Sequence, residues 1–309
     1  MKDMPIENAT CRKAATSETK AVMDVWTTVF ELDESFFGGM IAACPPDQQS
    51  TFVAETDDKI VSVVQVYAIP LRDELGRTVM VGAIGNVSTY KEFRGRGFST
   101  GLLNLAIEDM ERRGCQWSYL FTGVPGFYQR LGWDHVEYRT LHAMLPIQEP
   151  TSIVPRPVQE EDLPALKAIY DEAYDEVPLS FVRTEADWRI KMFPRLNDAF
   201  IVANKTSYAL LKENKDELVV IEFATTRPED VRPLLKGAFG WANSRSMKSL
   251  KFAAPLPESI RQIVLNMIPH RWEPEGAGMV RPIASEWTME RLQNLFKDPG
   301  ARFAPHEGF

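Results

Sequence analysis

"YKEFRGRGFSTGLLNLAIEDMERRG", residues 90–114, sets two arginines between two glycines and runs straight into an amphipathic segment. Phe98, Leu102, Leu105, Ala106 and Met110 recur at helical spacing and Gly114 supplies a stop, so a helix is expected over about residues 98–113. Gly95 and Gly97 let backbone amides approach a ligand with no Cβ in the way. The free N–H groups and positive dipole end of the helix point at the same place. Arg94 and Arg96 add planar, multi-donor charge, and Ser99 and Thr100 add hydroxyls. The stretch therefore calls for an anionic ligand, and a diphosphate fits best.

Gly95, Gly97 and Gly101 also spell a relaxed dinucleotide fingerprint, but that fold needs a βαβ unit and an acidic residue closing the following strand. Here "WSYLFTG", residues 117–123, ends without an acid, and the preceding strand belongs to hairpins. The plain alternative is a glycine-containing turn with surface arginines. Before the loop lie three strand-like runs, "TFVAE", "KIVSVVQVYAI" and "TVMVGAIGNVST", rich in β-branched residues and broken by turn residues. After it come the helix, the strand at 117, a short helix "PGFYQRLG" and a strand "YRTLHAML". Hairpins followed by a strand–helix–strand unit predict an α+β fold with a mixed, mostly antiparallel twisted sheet flanked by helices.

The 309 residues are 44% hydrophobic and 25% charged, enough for one large or two medium cores. A net charge of −8 argues against sequence-independent nucleic-acid binding and is compatible with a cationic small molecule. Cys11, Cys44 and Cys115 are scattered, which reads as reduced thiols, and no cysteine or histidine spacing supports a metal site. No secretory leader is visible, and no uncharged run nears the about 20 apolar residues of a membrane span. A cytoplasmic protein with no membrane and no nucleic-acid partner is the expectation. A homo-oligomer stays open, since nothing in the sequence marks an interface.

"LPIQEPTSIVPRPV", residues 145–158, reads as a proline-rich interdomain linker. On either side the same grammar recurs. One offset of 144 aligns Arg12 with Arg156, Glu18 with Asp162, Trp26 with Tyr170, Phe30 with Tyr174 and Glu31 with Asp175. A duplicated domain explains a single offset that keeps apolar and acidic positions together. The division expected is residues 1–147, residues 148–284 and a C-terminal helix and tail over 285–309. In the second copy the glycine loop is replaced by "RPEDVRPLL", without glycine, so that copy reads as degenerate.

"VSTYKEFRGRGFSTGLL" resembles the acetyl-CoA signature of the GCN5-related N-acetyltransferase (GNAT) superfamily, R/Q-x-x-G-x-G/A, with Arg94, Gly97 and Ser99 at its defined positions. Ser99 stands where glycine or alanine is usual. "FYQRLGW", residues 127–133, is similar to that superfamily's second motif, and the two lie at the expected separation. The resemblance is strong over residues 79–145. The tandem arrangement resembles the enhanced-intracellular-survival acetyltransferases, without their C-terminal sterol-carrier-like domain.

The resemblance implies acetyl-CoA as cosubstrate, no metal, and an amine acceptor attacked directly. It implies pantetheine contacts along Val87, Ser88 and Thr89 on a splayed strand, and pyrophosphate contacts from Arg94, Gly95, Arg96, Gly97, Phe98 and Ser99. It implies Tyr128 as general acid to the leaving thiolate: a phenol with a reference pKa near 10 is protonated at neutral pH. Many superfamily members place a glutamate base on the splayed strand, but "TVMVGAIGNVST" has no acid. The carboxylate of Phe309, Glu31 or water stay open for that role. Asn86 and the aromatics Trp26, Phe30 and Phe37 are candidates for an acceptor pocket, with core packing the alternative for each aromatic. A non-catalytic acyl-CoA binder or sensor is the other class of function: the missing strand carboxylate favours it, and Tyr128 argues against it.

Overall fold

The computed structural model describes residues 9–42, 44–253, 256–275, 278–298 and 300–303, so Phe309 lies outside the described residues. Among them the chain forms two seven-stranded, mostly antiparallel sheets with flanking helices. The first half supplies β1 (Ala9–Lys13), α1 (Thr19–Phe30), α2 (Glu34–Ala42), β2 (Gln49–Thr56), β3 (Lys59–Arg72) and β4 (Thr78–Thr89). It continues with α3 (Phe98–Arg112), β5 (Trp117–Phe121), α4 (Pro125–Gln129), β6 (Asp134–His135) and β7 (Tyr138–Met144). The second half supplies β8 (Arg156–Pro157), α5 (Leu163–Ala173), β9 (Phe200–Ala203), β10 (Ser207–Asn214) and β11 (Glu217–Thr225). Then follow α6 (Val231–Ser244), β12 (Ser249–Phe252), α7 (Glu258–Leu265), β13 (His270–Glu275), β14 (Gly278–Pro282) and α8 (Met289–Lys297).

The two sheets run β1-β2-β3-β4-β5-β14-β6 and β8-β9-β10-β11-β12-β7-β13. Strand for strand they follow one plan, except that the seventh strands have changed places. β7 leaves the first half and pairs between β12 and β13, Leu141 opposite Phe252 and Trp272. β14 returns from the second half and pairs between β5 and β6, Val280 opposite Tyr119 and Asp134. Sheet membership therefore does not follow a linear cut at 147/148. A strand needs ladder partners on both sides when it sits inside a sheet, and each half takes its inner strand from the other.

The segment read as a linker is packed rather than loose. Arg156 and Pro157 already form β8, and residues 149–153 lie on α6. A Cβ at Gly237 would sit 2.5 Å from the Ile153 carbonyl oxygen, so only glycine permits this approach.

β3 is the axis of the first sheet, buried without interruption from Ile60 to Ile69. Its alternation divides two cores. Val64, Val66 and Ala68 face α3 through Leu102, Leu103, Ala106 and Met110, whereas Val63 faces α1 through Val25 and Trp26. Further along, Tyr67, Ile69 and Leu71 meet the tail, whose Leu292, Leu295, Phe296 and Phe303 cover Trp117 and Tyr119 of β5. The equivalent motifs around the first helix of each half also recur in three dimensions. Arg12 reaches both Glu18 oxygens at 2.7 and 2.6 Å, and Arg156 reaches both Asp162 oxygens at 2.8 and 2.5 Å. Each acid also accepts a backbone N–H three residues upstream, from Ala15 and Gln159.

Candidate active site

β4 and β5 run parallel only from Val81–Trp117 to Ala83–Tyr119. Beyond Ala83, β4 keeps its antiparallel partner β3, so the sheet opens between β4 and β5. A bulge marks the opening. Pairing with β3 jumps from Gly85–Gln65 to Ser88–Val63, leaving Asn86 and Val87 outside the ladder, and Asn86 adopts φ 52°. Trp26, fully buried on α1, donates its Nε1–H to the Asn86 carbonyl at 3.1 Å and holds the bulge from behind.

The strand runs from Val87 through Ser88 and Thr89 into the loop. Thr89 is buried and its hydroxyl joins Ser62 at 2.7 Å and Ser99 at 2.8 Å, tying the end of β4 to the first turn of α3. Ser99 thus spends a hydroxyl contact on the scaffold. Arg94 Nε donates to the Thr89 carbonyl at 3.1 Å, which fixes the start of its side chain. Arg96 donates to the Glu92 carbonyl at 3.0 Å and lies over the Phe93 ring. Both arginines are exposed. Gly95 and Gly97 have φ of 79° and 85°, and a Cβ on either would meet no protein atom within 4 Å. The space above them is open, and only glycine adopts these angles without strain. α3 begins at Phe98, whose side chain is buried under the loop, and the first helical bond in the turn is Gly101 N–H to the Gly97 carbonyl at 3.0 Å. No side chain caps this end among the described residues, so the amides of residues 98–100 have no helical acceptor and face the loop.

Tyr128 sits on α4, 6% exposed, its ring edge-on to both Phe127 and Trp133. Burial pushes its phenol up to about 12, so it stays protonated throughout the neutral range. Gly132, with φ of 88°, turns the chain after α4 and lets Trp133 return to the core.

A groove of about 690 Å³ lies beside the bulge, with Asn86 in its wall. α1 and α2 contribute Phe30, Leu32, Phe36 and Met40, and the second half contributes Ile190, Lys191, Pro194 and Arg195. Of the aromatic candidates from sequence, Trp26 is core and Phe37 is buried, though its edge reaches the groove; Phe30 stays 39% exposed. Phe36, 53% exposed, was not singled out in the sequence, where it is half of an unremarked Phe–Phe pair. Lys191 and Arg195 had no local signal at all, since they reach the groove only through the packing of the halves. Glu31 ends α1 in the left-handed conformation, exposed, and is not among the groove residues. Among the described residues no carboxylate lines this groove, and none form a metal-binding group of three or more His, Cys, Asp or Glu. No described helix is long and apolar enough to cross a membrane.

No curated protein matches the chain by sequence. Its fold is shared with a GCN5-related N-acetyltransferase from Kribbella flavida, at a TM-score of 0.71 and 16% identity over 89% of this chain and 71% of that one. Eis1 from Mycobacterium abscessus aligns at 0.67 and 15% identity, over 90% and 74% of the two chains. A GCN5-related N-acetyltransferase from Anabaena variabilis aligns at 0.66 and 14% identity, over 90% and 73%. The family model described as the acetyltransferase (GNAT) domain matches residues 10–136, the stretch that carries the splayed strand, the glycine loop and Tyr128. Residues 10–136 thus match the GNAT acetyltransferase domain, within a chain built on two sheets of one plan.

Proposed function

We propose that the chain transfers the acetyl group of acetyl-CoA to the primary amine of a small acceptor, with Tyr128 as the general acid. The observation that carries this reading is the open cradle over Gly95 and Gly97, faced by the uncapped start of α3 and flanked by Arg94 and Arg96. A diphosphate suits that donor set, and side chains at residues 95 and 97 would fill the cradle. The unpaired bulge at Asn86 and Val87 and the following Ser88 and Thr89 offer backbone to an extended arm.

Acetyl-CoA supplies the activated thioester. A C–N bond to the amine forms and the C–S bond breaks, so a proton leaves nitrogen and one must arrive at sulfur. Tyr128 Oη holds that proton. A phenol near 12 is a weaker acid than a thiol of ordinary pKa about 8.5, so Tyr128 acts first as a hydrogen-bond donor to the sulfur. It gives up its proton as charge builds there, and the proton shed by nitrogen restores it. The proton that the acceptor's ammonium must lose before attack goes to the Phe309 carboxylate, Glu31 or water. The three free cysteines accord with a cytoplasmic setting, and two of them are buried.

The test pairs a thermal shift with thiol release. Acetyl-CoA should raise Tm, and an amine should then elicit free thiol in proportion to acetylated product. A thermal shift with no thiol release from any amine would favour an acyl-CoA sensor, consistent with β4 carrying no acid.

A further inference from the structure

We infer that Asn86 presents its side-chain carbonyl oxygen to an N–H of the acceptor amine, and that buried Gln65 is the positioning residue that points it there. This rests on the acetyl-transfer reading and assigns two further residues to the same site. Hydrogen-bond polarity can be followed from the backbone to the groove. The carbonyls of Ile41, in α2, and Cys44, just after it, can only accept. Gln49 reaches them at 3.1 and 2.6 Å, so its NH2 faces them and its Oε1 faces inward. Gln65, fully buried on β3, therefore donates Nε2–H to Gln49 Oε1 at 3.0 Å and turns its own Oε1 toward β4. That oxygen accepts from the Tyr67 hydroxyl at 2.6 Å and from Asn86 Nδ2 at 2.8 Å. Three side-chain amides are thus set in series, and the last has its donor turned inward and its Oδ1 left over.

No described residue donates to Asn86 Oδ1, and this oxygen is not among the buried polar atoms without a partner, so it is open to a ligand. Asn86 is in the wall of the 690 Å³ groove. Its backbone is held as firmly as its side chain, by the Trp26 bond to its carbonyl and by its left-handed φ of 52°. It directly precedes Val87, so an amine bound there is next to the strand proposed to carry the thioester arm. Asn86 is neutral and takes no proton. It holds one N–H, which aims the nitrogen lone pair once another proton has left.

The second half has no such relay. Two residues past the last parallel rung, Gly85 pairs with Gln65 in the first sheet, and Glu222 pairs with Leu210 in the second. Leu210 has no amide to pass on, and buried Phe223 follows Glu222 where Asn86 follows Gly85. An amide kept inside a core where an apolar side chain serves the other half points to orientation rather than filling.

The experiment measures thiol release from acetyl-CoA with phenethylamine, spermidine and L-lysine, and acetyl-CoA Kd by titration calorimetry, in the full chain. Asn86→Gly accepts the left-handed backbone without strain and removes the oxygen. For the amine turned over fastest, its kcat/KM should fall about 30-fold, with acetyl-CoA Kd held within about twofold. Gln65→Met should lose about tenfold, and the double variant no more than Asn86→Gly alone, because Gln65 acts through Asn86. Gln65→Glu, buried and so holding its proton, keeps a donor and an acceptor and should stay within about threefold of the unaltered protein. Losses that multiply in the double variant, or a Gln65→Glu loss beyond tenfold, make Gln65 a packing residue and overturn its role. Unchanged kcat/KM in Asn86→Gly overturns both assignments, whether or not Gln65→Met folds. Acetyl-CoA binding with none of the three amines turned over also overturns them and leaves the cosubstrate reading intact. No acetyl-CoA binding at all sinks the acetyl-transfer reading beneath them.

Discussion

The two halves share a strand order and differ where a ligand would sit. In the first, β4 leaves β5 after Ala83 and leads to Arg94, Gly95, Arg96, Gly97 and the uncapped start of α3. In the second, β11 pairs with β12 only as far as Val220, and Glu222, two residues on, is bound by Arg183 at 3.1 and 2.5 Å, by Arg302 at 2.5 Å and by Tyr208 at 2.5 Å. All four are buried. The entry to α6 then carries Glu229 and Asp230 in place of arginine and glycine, and Asp230 accepts from Thr206 at 2.6 Å and Ser207 at 2.9 Å. A helix start that attracts anions in one half is furnished with the chain's own carboxylates in the other. The aromatic positions diverge in step: Phe30 lines the groove, while its counterpart Tyr174 is buried and donates to the Phe223 carbonyl at 2.6 Å. The position of Tyr128 has no tyrosine counterpart in α7, "ESIRQIVL". The halves thus share a scaffold and differ in the charges at the helix entry.

The comparison breaks most severely at Glu222. Glu222→Gln leaves Arg183 and Arg302 without their carboxylate and should cost about 3–5 kcal/mol of stability by denaturant unfolding. Burial pushes the Glu222 carboxyl up, but the two arginines outweigh it and hold it below the usual range. A lowered folded-state pKa contributes stability that is full above the unfolded value of about 4.3 and is lost as pH falls below it. The wild type should therefore lose stability steeply below about pH 4, and the Gln variant should show a flatter acid limb. An unchanged limb would remove Glu222 as its cause.

Gly97→Asp makes the open half resemble the closed one. A non-glycine residue at φ 85° costs about 1–2 kcal/mol, and no protein atom crowds its Cβ. Acetyl-CoA affinity should fall about 1,000-fold, roughly 4 kcal/mol by titration calorimetry, while the fold persists. Retained affinity would take the pyrophosphate away from this loop. Tyr128→Phe should lower kcat about 100-fold with acetyl-CoA affinity intact, the lower end of what an acid contributes. Equal turnover would strip Tyr128 of its role. The smallest effect belongs to the shared motif: Arg12→Met and Arg156→Met should each cost about 0.5–1 kcal/mol, as partly exposed ion pairs do. Arg12 should cost more, because it also binds Glu55. Equal losses would mean that the third partner adds nothing.

Local chemistry was legible from the sequence. The loop glycines, the helix behind them and the apolar alternation of β3 and β4 are decided by spacing within a few residues, because backbone sterics and burial act over one turn or one strand. The offset of 144 likewise aligned Arg12 with Arg156 and Glu18 with Asp162, and the structure shows that each arginine binds the acid six residues on. Three things were settled only by tertiary structure. The exchange of β7 and β14 could not be read, since each strand's own pattern fits either sheet and only ladder partners more than 100 residues away choose between them. Lys191 and Arg195 reach the groove because the halves pack together, and the sequence near them shows only an amphipathic helical turn. Glu222 looked like one more strand residue until Arg183 and Arg302 surrounded it. A buried charge is defined by its partners, and here those partners come from 39 and 80 residues away.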